Sequence, residues 1–449
     1  MSEPRPPRTP GTKLLFALLI GALLAIPLFT VYLLVYDRQS QSQTARASIA
    51  KGWGGAQTLS GPILVIPYAV TVDETVVENG KKTVRATTAW HELTLSPETT
   101  ELRTAVTPEV RHRSIYDAVV YEARNQGSAR FVLPADLSRT GTTRAALALD
   151  RAELRFGISD PRGLFGAPPA VAADGAALAL QPGKGPSETG GAGFFTAFDA
   201  RVLADRAIAV RFAYAVRGNA SIALLPQGGD TRWSVTSPWP NPSFQGGFLP
   251  ATRAVTSGGF RATWRVGNLA LGRTLVTTSP AAASEDGSVV DRAARVDLVT
   301  PVDLYAQVNR SVKYGFLFIG FSFMALLMFD LIGGVRVSSI EYGLVGAALV
   351  LFFVMLLAFA EVTGFALAYC LAAGAIVGLL TAYSAAVLRS WRRAGVLAGL
   401  LVALYGVLYV LLSLEDLSLL IGSLLLFAAL AASMYLTRGI DWGAPGAAA

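Results

Sequence analysis

Ser159-Asp160-Pro161-Arg162-Gly163 sets a hydroxyl, a carboxylate and a guanidinium side by side. These groups could serve a hydrolytic nucleophile, its base and an oxyanion partner. Catalytic groups, however, usually converge from distant positions, and sequence neighbours rarely form a triad. Asp-Pro followed by Gly is turn chemistry. The spacing predicts a structural turn with Arg162 pairing Asp160.

Metal and thiol chemistry find little support in the residue types. The histidines are His91 and His112, and neither has a second histidine at ligand spacing. The single cysteine, Cys370, lies in an apolar segment. The hydrophilic block therefore carries no disulfide and no thiolate site, and neither metal nor cofactor is expected. GxSxG, HExxH, a Walker loop and a post-strand GxGxxG are absent. The residues read as those of a non-enzymatic protein.

Ser237 to Pro250 (SPWPNPSFQGGFLP) is the most unusual hydrophilic stretch. Four prolines make a stiff irregular loop that presents Trp239, Phe244 and Phe248, a candidate interaction loop for a peptide, glycan or protein. The plainer reading has these rings plugging one end of a β fold.

The chain has 449 residues, 52% hydrophobic and 15% charged, with mean hydropathy +0.46. That is too apolar for an ordinary soluble enzyme and too charged for membrane helices alone. The net charge is +7, but Lys and Arg are dispersed, without a basic run interleaved with aromatics. Nucleic acid is not an expected partner.

Residues 1–12 read as a Pro-rich, basic, disordered cytoplasmic tail. Residues 13–36 read as an uncleaved transmembrane helix with Tyr32 and Tyr36 at its outer interface. Pro27 should kink that helix without ending it. Asp37 to Lys51 can continue it as a stalk, ended by Gly52-Trp53-Gly54-Gly55.

Period-two alternation then takes over. Ile63–Val70 reads as a buried strand. Leu154/Phe156/Ile158, Ile208 to Val216, and Phe260 to Val266 read as half-buried strands. Asp174-Gly175 and Gly218-Asn219 stand where hairpin turns are expected. Gly183 to Gly193 reads as a mobile loop. Residues 37–310 thus form an all-β, sandwich-like domain with a helical stalk at its start.

From Tyr314 the sequence is nearly continuously apolar to Leu436 and divides into five spans. The fold class is a mixed membrane protein: one amino-terminal and five carboxy-terminal transmembrane α-helices plus the β domain. Residues 311–437 form the five-helix bundle and residues 438–449 a cytoplasmic tail. With the amino terminus inside, Arg336, Arg389, Arg392, Arg393 and Arg438 fall in inner loops. Glu361, Glu415 and Asp416 fall in outer ones. That distribution satisfies the positive-inside rule and puts the β domain outside a cytoplasmic membrane. Asp330, Glu341, Glu361, Glu415 and Asp416 all sit near helix ends, which argues against a coupled transporter. Gly374/Gly378 and Gly395/Gly399 have GxxxG spacing, read as close packing within the bundle, with homodimerisation the sharper alternative.

Trp53 to Tyr68 (WGGAQTLSGPILVIPY), Arg113 to Tyr121 (RSIYDAVVY) and Phe156 to Leu164 (FGISDPRGL) resemble motifs of the CreD family of bacterial inner-membrane proteins. Ser237 to Pro250, Pro301 to Tyr305 (PVDLY), Arg310 to Ile319 (RSVKYGFLFI) and Met434 to Arg438 (MYLTR) extend the resemblance over nearly the whole chain. Asn241 and Asp330 depart from it, standing where histidine and glutamate are expected. The resemblance implies an inner-membrane location, a role in envelope integrity, colicin tolerance and a cell-wall stress response. It implies no enzymatic activity. The lipid bilayer is one partner, and a periplasmic protein or cell-wall polymer is a second. The competing classes are a transporter or lipid-handling protein and a periplasmic hydrolase with an unrecognised site.

Overall fold

The computed structural model describes residues 10–78, 81–113, 116–278, 292–299, 304–332, 338–387, 390–413 and 418–438. The expected terminal tails, and Arg336, Arg389, Glu415 and Asp416, lie largely or wholly outside these ranges. The chain divides into two compact units. One holds residues 44–301, and the other holds residues up to 43 together with those from 302 onward.

In the first unit the strands are β1 (Gln57–Glu78), β2 (Lys81–Leu95), β3 (Thr99–Arg113), β4 (Tyr116–Phe131) and β5 (Ala152–Ile158). They continue as β6 (Ala170–Ala173), β7 (Ala176–Ala177), β8 (Gln181–Pro182), β9 (Gly193–Phe198), β10 (Ile208–Asn219) and β11 (Ser221–Leu225). The last are β12 (Asp230–Ser237), β13 (Pro242–Gly246), β14 (Thr252–Thr256), β15 (Gly259–Gly267), β16 (Val276–Thr277) and β17 (Ala294–Leu298).

Among the described residues these strands make two sheets. One runs β13-β17-β11-β1-β5-β9-β8, with β2 and β16 continuing from β1. The other runs β14-β15-β12-β3-β4-β10-β6-β7. Most neighbours are antiparallel, but β1 pairs with β11, and β3 with β12, in parallel.

Alternation fixes which face each strand buries. Ile208, Val210, Phe212, Tyr214 and Val216 of β10 point inward, as do Phe260, Ala262, Trp264 and Val266 of β15. They meet Leu64 and Ile66 of β1 and Leu154, Phe156 and Ile158 of β5 in one core. Trp233 and Trp264 stack at 4.7 Å, and Trp233 Nε1 donates to Thr104 Oγ1, so the indole is buried with its polar edge satisfied.

Asp174 and Gly175 form the β6–β7 turn with positive φ, 48° and 90°. Gly218-Asn219 is not a hairpin. Both residues stay in β10, and the chain turns at Ala220 (φ 54°) from one sheet into β11 of the other. The segment Gly183 to Gly193 is a defined loop: Gly185 N donates to Gly191 O, Thr189 Oγ1 to Ala192 O, and Arg273 pairs with Glu188.

The second unit holds most of helix α1 (Pro10–Trp53), α3 (Leu304–Lys313), α4 (Gly315–Ile332), α5 (Ser339–Thr363), α6 (Phe365–Val387), α7 (Trp391–Ser413) and α8 (Ser418–Thr437). The four-residue α2 (Asn268–Leu271) lies in the β unit. Five helices among the described residues are long and apolar enough to cross a membrane: Gly11–Ile49, Leu304–Met328, Ser339–Thr363, Phe365–Val387 and Trp391–Val410. The chain was expected to leave the β domain at residue 310. It does so at 301, because α3 buries Tyr305, Val308 and Val312 among the helices.

Helix α1 continues unbroken past Pro27. It packs on its neighbours through glycines: a Cβ on Gly315 of α4 would stand 2.7 Å from Leu28 Cδ1, and Gly346 of α5 is filled by Leu24. The GxxxG glycines behave otherwise. Among the described residues nothing lies within 4 Å of a Cβ built on Gly374, Gly378, Gly395 or Gly399, so they take none of the close helix contacts seen there. Inside it, Phe318, Phe352, Phe353 and Tyr405 form an aromatic cluster, and Tyr369 OH donates to Tyr405 O at 2.8 Å.

Candidate functional site at the helix-to-sheet joint

The last turns of α1 belong to the β unit. Ala45, Arg46, Ile49 and Trp53 are its half-buried positions, spaced to share one helix face. Arg46 Nε donates to Asp117 O at 3.1 Å and Trp53 Nε1 to Tyr121 O at 3.4 Å. Seven helical residues rise about 10.5 Å, and four strand residues about 13 Å. The helix end therefore runs alongside the start of β4, in the same direction.

Two guanidinium groups close on Trp53. The Arg111 carbon is 3.7 Å and the Arg217 carbon 4.1 Å from the indole centroid. Arg217 also lies 4.6 Å from the Phe165 ring centroid and bonds Glu122 Oε1 through Nε and Nη2, at 3.2 and 3.0 Å. The Glu122 pair fixes the plane of Arg217 so that it meets both rings.

Directly after Trp53 the chain passes between two backbones. Gly54 has φ 126°, and a Cβ there would meet Arg217 O at 2.7 Å, so only glycine fits in both conformation and space. Gln57 is buried. Its Nε2 donates to Asp160 O at 3.1 Å and Arg217 O at 2.8 Å, and its Oε1 accepts from Asp160 N at 3.3 Å. Buried Tyr121 donates its hydroxyl to Ser221 O at 2.7 Å, and burial pushes that phenol well above its ordinary range. Gly218 packs against the same phenol.

The Ser159–Gly163 turn is the third side of the joint. Asp160 accepts from Gly55 N at 3.1 Å, from Arg162 N at 3.2 Å, and from Arg162 Nε and Nη2 at 2.8 and 2.9 Å. The Arg162 hydrogen bonds hold its carboxyl below the usual carboxylate range, against opposition from partial burial and with help from Gly55 N–H. Ser159 Oγ donates to Ala56 O at 3.1 Å and accepts from Thr58 N at 2.9 Å. Its hydroxyl is thus engaged with backbone. The histidines lie elsewhere, His91 against the Tyr68 ring and His112 with Nδ1 2.6 Å from Asp117 Oδ1. Among the described residues no three His, Cys, Asp or Glu side chains cluster as a metal site would require. What this arrangement can do is mechanical: it clamps a helix end, a β-turn and the β10–β11 corner together.

The aromatic loop turns inward. Part of the stretch expected to be irregular is strand β13, paired with β17. Phe244 meets Phe260 and Trp264 edge-on, both at 5.8 Å. Trp239 Nε1 donates to Val299 O at 3.0 Å, and Trp264 Nε1 to Phe248 O at 2.9 Å. Trp239, Phe244 and Phe248 are half-buried against the core.

The structure pairs Arg162 with Asp160, as the turn chemistry predicts, and sets Trp53 against β3, β4 and β10. Sequence reasoning singles out none of the groups that meet Trp53. It misses Arg111, Arg217 and Gln57. The usable signal was an arginine on the outward side of each alternating strand, but nothing in the sequence pairs those strands with Trp53.

A family model described as "Inner membrane protein CreD" matches residues 9–443. The curated inner membrane protein CreD of Escherichia coli (strain K12) is 32% identical over 431 residues, covering 94% of this chain and 92% of that protein. With a match over nearly its full length, the chain belongs to the CreD family.

Proposed function

We propose that this protein is a non-enzymatic inner-membrane protein that contributes to envelope integrity and the response to cell-wall stress. In this reading six helices cross the membrane with both termini inside, and α8 supplies the sixth span. The two-layer β unit is a sandwich in the periplasm, where it engages a protein or cell-wall partner. Tolerance to colicins follows from the same envelope role. Trp239, Phe244 and Phe248 act as structural plugs at the end of the β unit.

The observation that carries the reading is the clamp on Trp53. The last turns of α1 end with Trp53 held between Arg111 and Arg217 of the β unit. Such a clamp fixes the end of the helix within the β unit. The engagement of Ser159 Oγ by Ala56 and Thr58 supports the non-enzymatic reading over a hydrolase centred on that turn.

The test is a chromosomal Trp53→Ala, Arg217→Ala double variant present in the membrane at the wild-type level. Leakage of a periplasmic reporter under cell-wall stress should match that of the deletion strain. Leakage at the wild-type level would remove the joint from the function.

A further inference from the structure

The outward face of the β14-to-β7 sheet is set with arginines over small side chains. Strand register gives their arrangement. Arg103 stands opposite Gln126 and Ser234, Arg124 opposite Ala105 and Ala215, and Arg211 opposite Ser128 and Ala172. Arg261 stands opposite Thr236, which itself faces Ala105. All four arginines are exposed.

Acidic residues on this face are already engaged. Glu122 pairs with Arg217, Asp230 with Arg265, and Glu101 with Arg232. Among the described residues Arg103, Arg124, Arg211 and Arg261 have no such partner. Between Arg103 and Arg211 the surface dips into an open groove of about 560 Å³, floored by Ser128, Ala172 and Ala213.

We propose that this groove binds an extended acidic peptide segment of a partner protein. Unpaired guanidinium groups recognise carboxylates bidentately. Arg103 lines the groove, and Arg124, beside it and outside its lining, is its diagonal cross-strand neighbour about 7–8 Å away. Alternate side chains of an extended peptide repeat at about 6.8 Å, which matches that diagonal. The floor of alanine and serine lets a peptide backbone approach the sheet. Glu101 and Gln126 at the groove edge accept hydrogen bonds. A peptide has N–H groups to donate to them, whereas a fully ionised phosphate polymer has none.

The experiment uses the full-length protein in uncharged detergent and a fluorescent decapeptide of alternating Glu and Thr, read by anisotropy. Saturable binding is expected, weakening with salt. Arg103→Ala/Arg211→Ala should lower affinity at least tenfold. Arg201→Ala/Arg295→Ala removes the same charge from arginines paired with Asp199 and Asp297, none of which lines the groove, and should stay within twofold. Unchanged thermal midpoints in both variants exclude misfolding. Equal losses in the two variants, or no saturable binding by the wild type, would overturn the proposal. So would inorganic polyphosphate binding where the peptide does not.

Discussion

The guanidinium carbon of Arg217 lies 4.1 Å from the ring centroid of Trp53, and Arg111 covers the same indole at 3.7 Å. The end of α1 is thereby fixed by two cations on one ring, each contact contributing about 0.5–1 kcal/mol at a partly exposed site. Trp53→Leu keeps an apolar side chain and removes both contacts and the indole donor. It should destabilise docking of residues 45–53 by about 1–3 kcal/mol. Amide hydrogen exchange in that segment should accelerate by ten- to hundredfold with the core strands unaffected. Unchanged exchange would mean that the helix end is held by something else.

Asp160 offers a pH test. Its carboxyl titrates below the ordinary range in the folded protein, chiefly through the Arg162 hydrogen bonds. A group depressed on folding contributes fully above its unfolded value of about 4. That contribution is lost as pH falls through the folded value. Asp160→Asn should therefore cost about 1 kcal/mol at pH 7, and the gap from wild type should close as pH falls below the ordinary carboxylate range. Thermal melts across pH decide it; a gap that persists at low pH would assign the effect to geometry.

Leu28 and Gly315 put α1 against α4. Gly315→Val would drive a side chain into Leu28 and should lower the thermal midpoint in detergent, at a cost of about 1–3 kcal/mol. Leu28→Ala should recover part of the loss in the double variant. With Cys370 replaced, cysteines at Leu28 and Gly315 should crosslink efficiently in membranes. Failure of both the rescue and the crosslink would separate the two helices.

Topology is read by labelling. A cysteine at Gln227 should react with an impermeant reagent in intact cells, and one at Ser390 should not. On the proposed topology, reversing Arg392 and Arg393 to Glu should impair insertion, because basic residues favour the cytoplasmic side. Labelling at Ser390 in intact cells would reject the six-span arrangement.

The β unit was legible where one face is buried. Ile208 to Val216 and Phe260 to Val266 alternate because each second side chain enters the core. The stalk was legible because Asp37–Lys51 lacks Gly and Pro, so α1 could continue. The corner at Ala220 was not, because Gly218-Asn219 resembles a hairpin turn and the crossing is set by tertiary contact with Tyr121 and Gln57. GxxxG spacing misled for a related reason. It specifies small residues on one helix face without specifying what that face meets, and among the described residues Gly315 and Gly346 take the close contacts instead. Arg111 and Arg217 converge on Trp53 only after long-range strand pairing, which single-sequence periodicity does not encode.

The parallel pairings of β1 with β11 and of β3 with β12 bear on how the β unit is assembled. In each sheet an early strand takes its partner from late in the chain, so neither sheet can close while the chain is still short. Such distant pairing raises contact order and slows folding. During synthesis the Gln57–Ser60 end of β1 and one edge of β3 would wait open until β11 and β12 emerge. Open strand edges invite association with other chains. The interval between emergence of β3 and emergence of β12 is therefore when this protein most depends on a chaperone, and when slowed synthesis would most raise its aggregation.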